Sequence, residues 1–184
     1  MIHDVRRILA VPGKLCTSPT DFTTAYPHGG TALGTIRDAQ IIIEQPYQFI
    51  IAEEYGNARY EGVITGEGVV FGATLLSWDK DMLAKIFPNT SVGAVSGKTV
   101  VTSPSTIRPG EPMSSRAVAL CFSPDDPDRN PGLLIRKAIP AIKETSELSC
   151  RIDQEFGIPV LWYGIRDASD RVYSVGLLRD IVLP

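Results

Sequence analysis

Two stretches of the sequence set reactive side chains close enough together to suggest chemistry. Gly93-Ala-Val-Ser-Gly97-Lys98-Thr99 carries the glycines, lysine and hydroxyl of a phosphate-binding loop. Such a loop needs four residues between its glycines to wrap a phosphate, and a helix behind it whose first N–H groups point at the anion. Here three residues separate the glycines, and Val100-Val-Thr-Ser-Pro104 follows, a β-forming run stopped by a proline. Asp126-Pro-Asp-Arg-Asn130-Pro-Gly132 begins like a calcium loop. Its glycine comes one place late, and Lys137 stands at the twelfth position, where a bidentate glutamate belongs. It reads instead as a tight Asp/Pro/Gly turn. Ser96 lacks the Gly-x-Ser-x-Gly spacing of a nucleophile elbow.

Cysteine and histidine supply little more. Cys16, Cys121 and Cys150 are far apart and odd in number, with no Cys-x-x-Cys pair to grip zinc. Cys121 and Cys150 lie in apolar or alternating runs, where a small buried hydrophobe is expected. Only His3 and His28 occur, and His28 sits in the turn-forming Tyr26-Pro-His-Gly-Gly30 with no carboxylate or cysteine beside it in sequence. The expectation is therefore no catalytic residue, no cofactor and no metal.

The elements around these residues have period two. Ile41-Ile-Ile43 and Phe49-Ile-Ile-Ala52 are β-forming runs separated by Pro46, which marks an edge or a bend. Val69-Val-Phe-Gly-Ala-Thr-Leu-Leu76 reads as a buried strand. Val118, Leu120 and Phe122 share one face of the next strand, opposite the smaller Ala117, Ala119 and Cys121. Leu133–Ile139 and the alternating run 148–156 follow, then Val160–Ile165 and Val172–Val175, which the turn at Asp167–Asp170 joins as a hairpin. The N-terminal eleven residues could add a short strand. One amphipathic helix is expected: Ser77-Trp-Asp79 caps it, Met82, Leu83, Ile86 and Phe87 form its stripe, and Pro88 ends it. Residues 12–32, rich in Pro, Gly and Thr, read as an extended irregular loop of the kind a partner orders. The fold expected is all-β or β-dominated α+β: a β-sandwich or barrel with one short flanking α-helix, in a single domain over 1–184.

Composition excludes several classes. At 184 residues the chain is one domain in size, and about 70% of its extended surface could be buried without disulfides or metal. A hydrophobic fraction of 43% with 21% charged residues argues against disorder. Net charge −3 gives no basic bulk to attract nucleic acid. No run approaches the length of a membrane span, and Met1-Ile-His-Asp-Val-Arg-Arg7 lacks the apolar core of a secretion signal, so synthesis and residence inside the cell are expected. Between Asp38 and Glu67 six acids (Asp38, Glu44, Glu53, Glu54, Glu61, Glu67) face one base, Arg59. That stretch is either a solvated face or an acidic surface that repels polyanions.

The order of these pieces resembles that of bacteriophage tail tube (major tail) proteins. The residues that carry the likeness are Gly29-Gly-Thr-Ala-Leu-Gly34 with Arg37-Asp38, Ala52-Glu-Glu-Tyr-Gly56 and the acidic β-rich stretch. Leu75-Leu-Ser-Trp-Asp79 running into Asp81–Pro88, and Gly157-Ile-Pro-Val160 before the last strands, complete it. The resemblance implies a β-sandwich with one flanking helix that forms hexameric rings stacked into a hollow tube in the virion tail. It implies a tape-measure protein, a tail terminator and baseplate proteins as partners, assembly in the host cytoplasm, no membrane, and DNA that passes without specific binding. It implies no catalysis. Segments 12–32 and 44–60 would make ring and stacking contacts, with Tyr47, Phe49, Tyr55, Arg59 and Tyr60 at the interface, since aromatic and Arg side chains anchor interfaces. Glu53, Glu54, Glu61 and Glu67 would face the lumen.

Other readings stay open at this level. The chain could be another tail, neck or baseplate ring component. A small-ligand-binding β-barrel could use Trp162, Tyr163 and Tyr173 as cavity lining. A paired-carboxylate enzyme would need two acids facing across a cleft, which the sequence offers no means to arrange.

Overall fold

Every second residue of Val69-Val-Phe-Gly-Ala-Thr-Leu75 is buried: Val69, Phe71, Ala73 and Leu75 are at most 5% exposed, and the residues between them are half-buried. This alternation, repeated in neighbouring strands, closes a sheet around an apolar interior. A computed structural model describes residues 12–52, 58–76, 86, 91–95, 98–102, 112–141 and 157–184. In chain order the strands are β1 (Gly13–Thr17), β2 (Thr31–Glu44), β3 (Tyr47–Ala52), β4 (Ala58–Ile64), β5 (Gly68–Leu75), β6 (Ser91–Val95), β7 (Lys98–Thr102), β8 (Val118–Pro124), β9 (Gly132–Ala141), β10 (Ile158–Gly164) and β11 (Tyr173–Gly176).

Six of them form a closed antiparallel β-barrel in the order β10-β5-β2-β1-β8-β9, with β9 pairing back onto β10. Closure leaves none of these strands as an open edge, apart from the stretch of β9 that β11 covers. The interior is filled by side chains. Leu15, Leu33, Phe71, Leu75, Leu120, Phe122, Leu133, Ile135 and Trp162 are each 1% exposed or less. The Phe71 and Trp162 rings meet at 5.9 Å between centroids. Each fully buried side chain of this size is worth about 1.5–3 kcal/mol. Trp162 is thus core, while Tyr163 is 46% exposed on the outer face and Tyr173 packs at the margin of the core, so the three line no common cavity.

Two β-bulges keep the pattern aligned with the interior. In β2 the register shifts between Arg37 and Gln40, with Asp38 at φ 54°, so that Ile36 and then Ala39, Ile41 and Ile43 all turn inward. The β8–β9 ladder shifts between Val118 and Leu120, which lets both Ile135 and Ala138 of β9 point into the barrel.

A second, smaller apolar cluster lies on the outer face. Cys16 of β1, Cys121 of β8 and Leu134 of β9 form a row across three strands, covered by Phe22 and Tyr26 of the 18–30 segment and by Leu178, Ile181 and Leu183 of the C-terminal tail. Arg136 pins that tail: its Nη2 donates to the Val182 carbonyl at 2.8 Å, and its Nη1 lies 3.7 Å from Asp167.

The structure departs from the sequence reading in two places. Residues 13–17 of the expected 12–32 loop are a barrel strand, β1, held between β2 and β8; only 18–30 is irregular. Pro12 and Pro19 bracket a run too short to show periodicity, and Leu15, Cys16 and Thr17 are all buried because both faces of β1 are covered. The expected hairpin of the last two strands does not form. Instead β10 pairs with Ala138–Ala141 and β11 with Gly132–Ile135, end to end along one edge of the ten-residue β9. The fold is strand-dominated and, among the described residues, no helix reaches seven residues. The expected flanking helix lies outside the described residues except for Ile86, which is helical and 2% exposed in the barrel core. The first eleven residues and the run 148–156 also lie outside them.

Candidate functional site

Among the described residues β3 and β4 pair only with each other, as a two-stranded sheet that follows β2 and precedes β5 in the chain. Its base is clamped where the chain leaves and returns: both the N–H and the hydroxyl of Thr65 donate to the Pro46 carbonyl, at 2.8 and 3.0 Å. Pro46 cannot extend the β2 ladder, so the chain changes sheets at that point.

Register and pleat sort the hairpin side chains onto two faces. Phe49 stands opposite Gly62 and Tyr47 opposite Ile64, so Tyr47, Phe49, Ile51 and Ile64 share one face. Ile50 and Val63 share the other with Gln48 and Glu61. The six hydrophobic residues are 38–68% exposed. On the first face the Tyr47 and Phe49 rings meet edge to face at 5.1 Å, and the Arg59 guanidinium lies over the Phe49 ring at 4.4 Å. The bulge between Ile50 and Ile51 brings Arg59 opposite Ile51 and so onto that face. Tyr47, Phe49 and Arg59, predicted as interface residues, are thereby one exposed aromatic–cation group. Tyr55 lies outside the described residues, as does the side chain of Tyr60, whose backbone is in β4. Of the predicted lumen acids, Glu61 and Glu67 are exposed, on β4 and in the turn before β5, and Glu53 and Glu54 lie outside the described residues.

A second feature was invisible in the sequence. The turn carrying His28 folds over the outer face of β8, and His28 is only 4% exposed. Its Nδ1 is 2.8 Å from the Thr24 carbonyl, an acceptor only, so the proton sits on Nδ1. Nε2 then accepts from the Ser123 hydroxyl at 3.0 Å. The His28 carbonyl in turn accepts from the N–H groups of Thr20 and Asp21, and Phe22 packs edge-on to the imidazole at 5.4 Å. His28 at φ 59° and Gly29 at φ 73° make the left-handed turn that buries the ring. The pair borders a cavity of about 510 Å³ whose wall includes Lys14, Tyr26, Asp125 and Arg179. Tyr26 donates to the Leu15 carbonyl at 2.6 Å, and burial pushes its phenol above the usual range.

A hydroxyl bonded to an oriented imidazole is the arrangement that activates a serine nucleophile. Ser123 is only 5% exposed and its hydroxyl is engaged with His28, so the bond serves as a cross-link between the 18–30 segment and β8. The near-P-loop falls on β6 and β7, two strands of a hairpin, and has no helix behind Lys98. The near-calcium loop is a turn in which Asn130 and Arg129 N–H groups donate to the Asp126 carbonyl. Among the described residues no three His, Cys, Asp or Glu side chains gather to hold a metal, and no helix is long and apolar enough to cross a membrane.

Comparison with protein-family models and with curated proteins finds no match to this chain.

Proposed function

We propose that this chain is a self-assembling structural subunit of a virion, forming rings that stack into a tail tube for genome delivery. The observation that carries the reading is the β3–β4 hairpin, which exposes Tyr47, Phe49, Ile51 and Ile64 on one face and Ile50 and Val63 on the other and, among the described residues, pairs only with itself. An isolated two-stranded hairpin is marginal in water, and contiguous exposed apolar surface marks an interaction site. Two unlike faces call for two unlike neighbouring surfaces. A second copy meeting each face in head-to-tail fashion closes into a ring when the rotation permits.

The layout resemblance to tail tube proteins favours a tube over other closed assemblies, and with it the tape-measure, terminator and baseplate partners. The filled barrel supports a structural role over a ligand-binding one, because its interior is occupied by Trp162, Phe71 and their neighbours. Exposed Glu67, in the turn beyond the hairpin, would keep passing DNA off the wall, since like charges repel within about 8 Å at physiological salt.

Light scattering after size exclusion, with negative-stain microscopy at rising concentration, tests the reading. Rings or tubes are the expected outcome, together with undetectable binding to duplex DNA at low salt. A strictly monomeric protein at high concentration overturns the assembly, and tight salt-sensitive DNA binding overturns the conduit.

A further inference from the structure

β1 and β8 are neighbouring antiparallel strands whose register sets Cys16 directly opposite Cys121. Residues opposite one another in such a ladder project to the same face. Two places along, the Ser18 N–H donates to the Ala119 carbonyl at 2.7 Å, which identifies that couple as a hydrogen-bonded pair. Hydrogen-bonded and open pairs alternate, so Cys16 and Cys121 are also a hydrogen-bonded pair, for which the Cα separation is about 5.5 Å. That value falls within the Cα range of disulfides, about 4.4–6.8 Å, but the Cβ atoms of such a pair stand about 5.5 Å apart against about 3.5–4.5 Å in a disulfide, so closing the bond draws the two strands together locally. Both side chains are fully buried, in the outer cluster with Leu134 and Leu178, and both are free thiols.

We propose that Cys16 and Cys121 form a dithiol site that a low-molecular-weight disulfide oxidises to a cross-strand disulfide, joining β1 covalently to β8. The neighbouring Cys121 thiol holds the Cys16 thiol below its ordinary value against the opposing effect of burial. With Cys16 as the attacking thiolate, the exchange balances. Cys16 displaces one thiolate from the small disulfide and becomes the mixed disulfide. Cys121 loses its proton and attacks Cys16 Sγ, expelling the second thiolate. Two protein thiols are oxidised by two electrons, one external disulfide is reduced to two thiols, and both protons go to the leaving groups.

Access is governed by the cover. Phe22, Tyr26, Leu178, Ile181 and Leu183 shield the pair in the folded protein, so exchange takes place while the 18–30 segment and the C-terminal tail are still open. In a reducing compartment the pair stays a dithiol, and in an oxidising one it closes. The bond would close a loop of about a hundred residues in the unfolded chain, a stabilising entropy effect that the strain of drawing the two strands together opposes.

The test is to unfold the protein, refold it in mixed oxidised and reduced glutathione, and compare it with protein refolded under full reduction. Peptide mapping of the unsubstituted chain should show Cys16 linked to Cys121, with native circular dichroism and a melting temperature raised by about 10 °C. The C150S variant should lose both titratable thiols on oxidation, and C16S in that background should show no rise in melting temperature. Natively folded protein whose Cys16 and Cys121 remain titratable overturns the proposal. So does glutathione trapped on either cysteine without the cross-strand bond, or a linked form that melts below the reduced one.

Discussion

The Nε2 atom of His28 lies 3.0 Å from the Oγ of Ser123, across 95 residues of sequence, and both side chains are buried. That single bond ties the turn-rich 18–30 segment to β8. Ser123→Ala leaves Nε2 of a buried imidazole without its donor, and His28→Ala leaves the hydroxyl and the Thr24 carbonyl unpaired. Each should cost about 1–3 kcal/mol in urea unfolding. The double variant should cost less than the sum of the two, because both remove the same bond.

Gly164, the last residue of β10, has no room for a side chain. A Cβ there would collide with Val69 Cγ1 and press on Ile135 and Val172. Gly164→Ala should destabilise by about 1–3 kcal/mol through overpacking. Gly176→Ala in β11, where a Cβ would meet nothing within 4 Å, should stay within about 0.5 kcal/mol of the parent. Thermal melts of the two variants check the contrast.

Asp167 makes stability depend on acid. Its carboxylate accepts the Arg171 N–H at 2.9 Å and the Ser169 N–H at 2.8 Å and faces Arg136, which together hold it below the ordinary carboxylate range. A depressed folded-state pKa stabilises the fold above the unfolded-state value, about 3.9, and that contribution is lost as pH falls through the folded-state value. Asp167→Asn should therefore be less stable than the parent at neutral pH. The gap should narrow steadily below about pH 4, as read from denaturant midpoints across pH.

On the β3–β4 hairpin, Ile50 and Val63 lie on one exposed face. Changing both to Asp should leave the monomer's melting within about 0.5 kcal/mol of the parent, as exposed substitutions do, while abolishing higher assembly. Arg59→Ala, which removes the cation over Phe49, should weaken assembly to a lesser degree. Loss of cooperative melting in the Asp double variant would assign the hairpin to the folding core instead of to an interface.

Period-two alternation was legible without coordinates, because it records which face of a strand meets apolar surroundings. Val69 to Leu75, the split of Leu120 and Phe122 from Cys121, and the break at Pro46 all follow from local pattern and proline chemistry. The same local logic rejected the near-P-loop, whose lysine opens strand β7. Strand partners are another matter. β1 is five residues between two prolines, too short for its period to show, yet it is a stave of the barrel because β2 and β8 supply both of its edges. The turn after β10 reads as a hairpin, but β9 is long enough to take β10 and β11 end to end, and that pairing satisfies both strands. Cys16 with Cys121, and His28 with Ser123, meet only because closure of the barrel lays β1 and its following turn on β8. Local sequence determined the faces of the strands; which strands became neighbours, and so which reactive groups met, was decided by the barrel closing on itself.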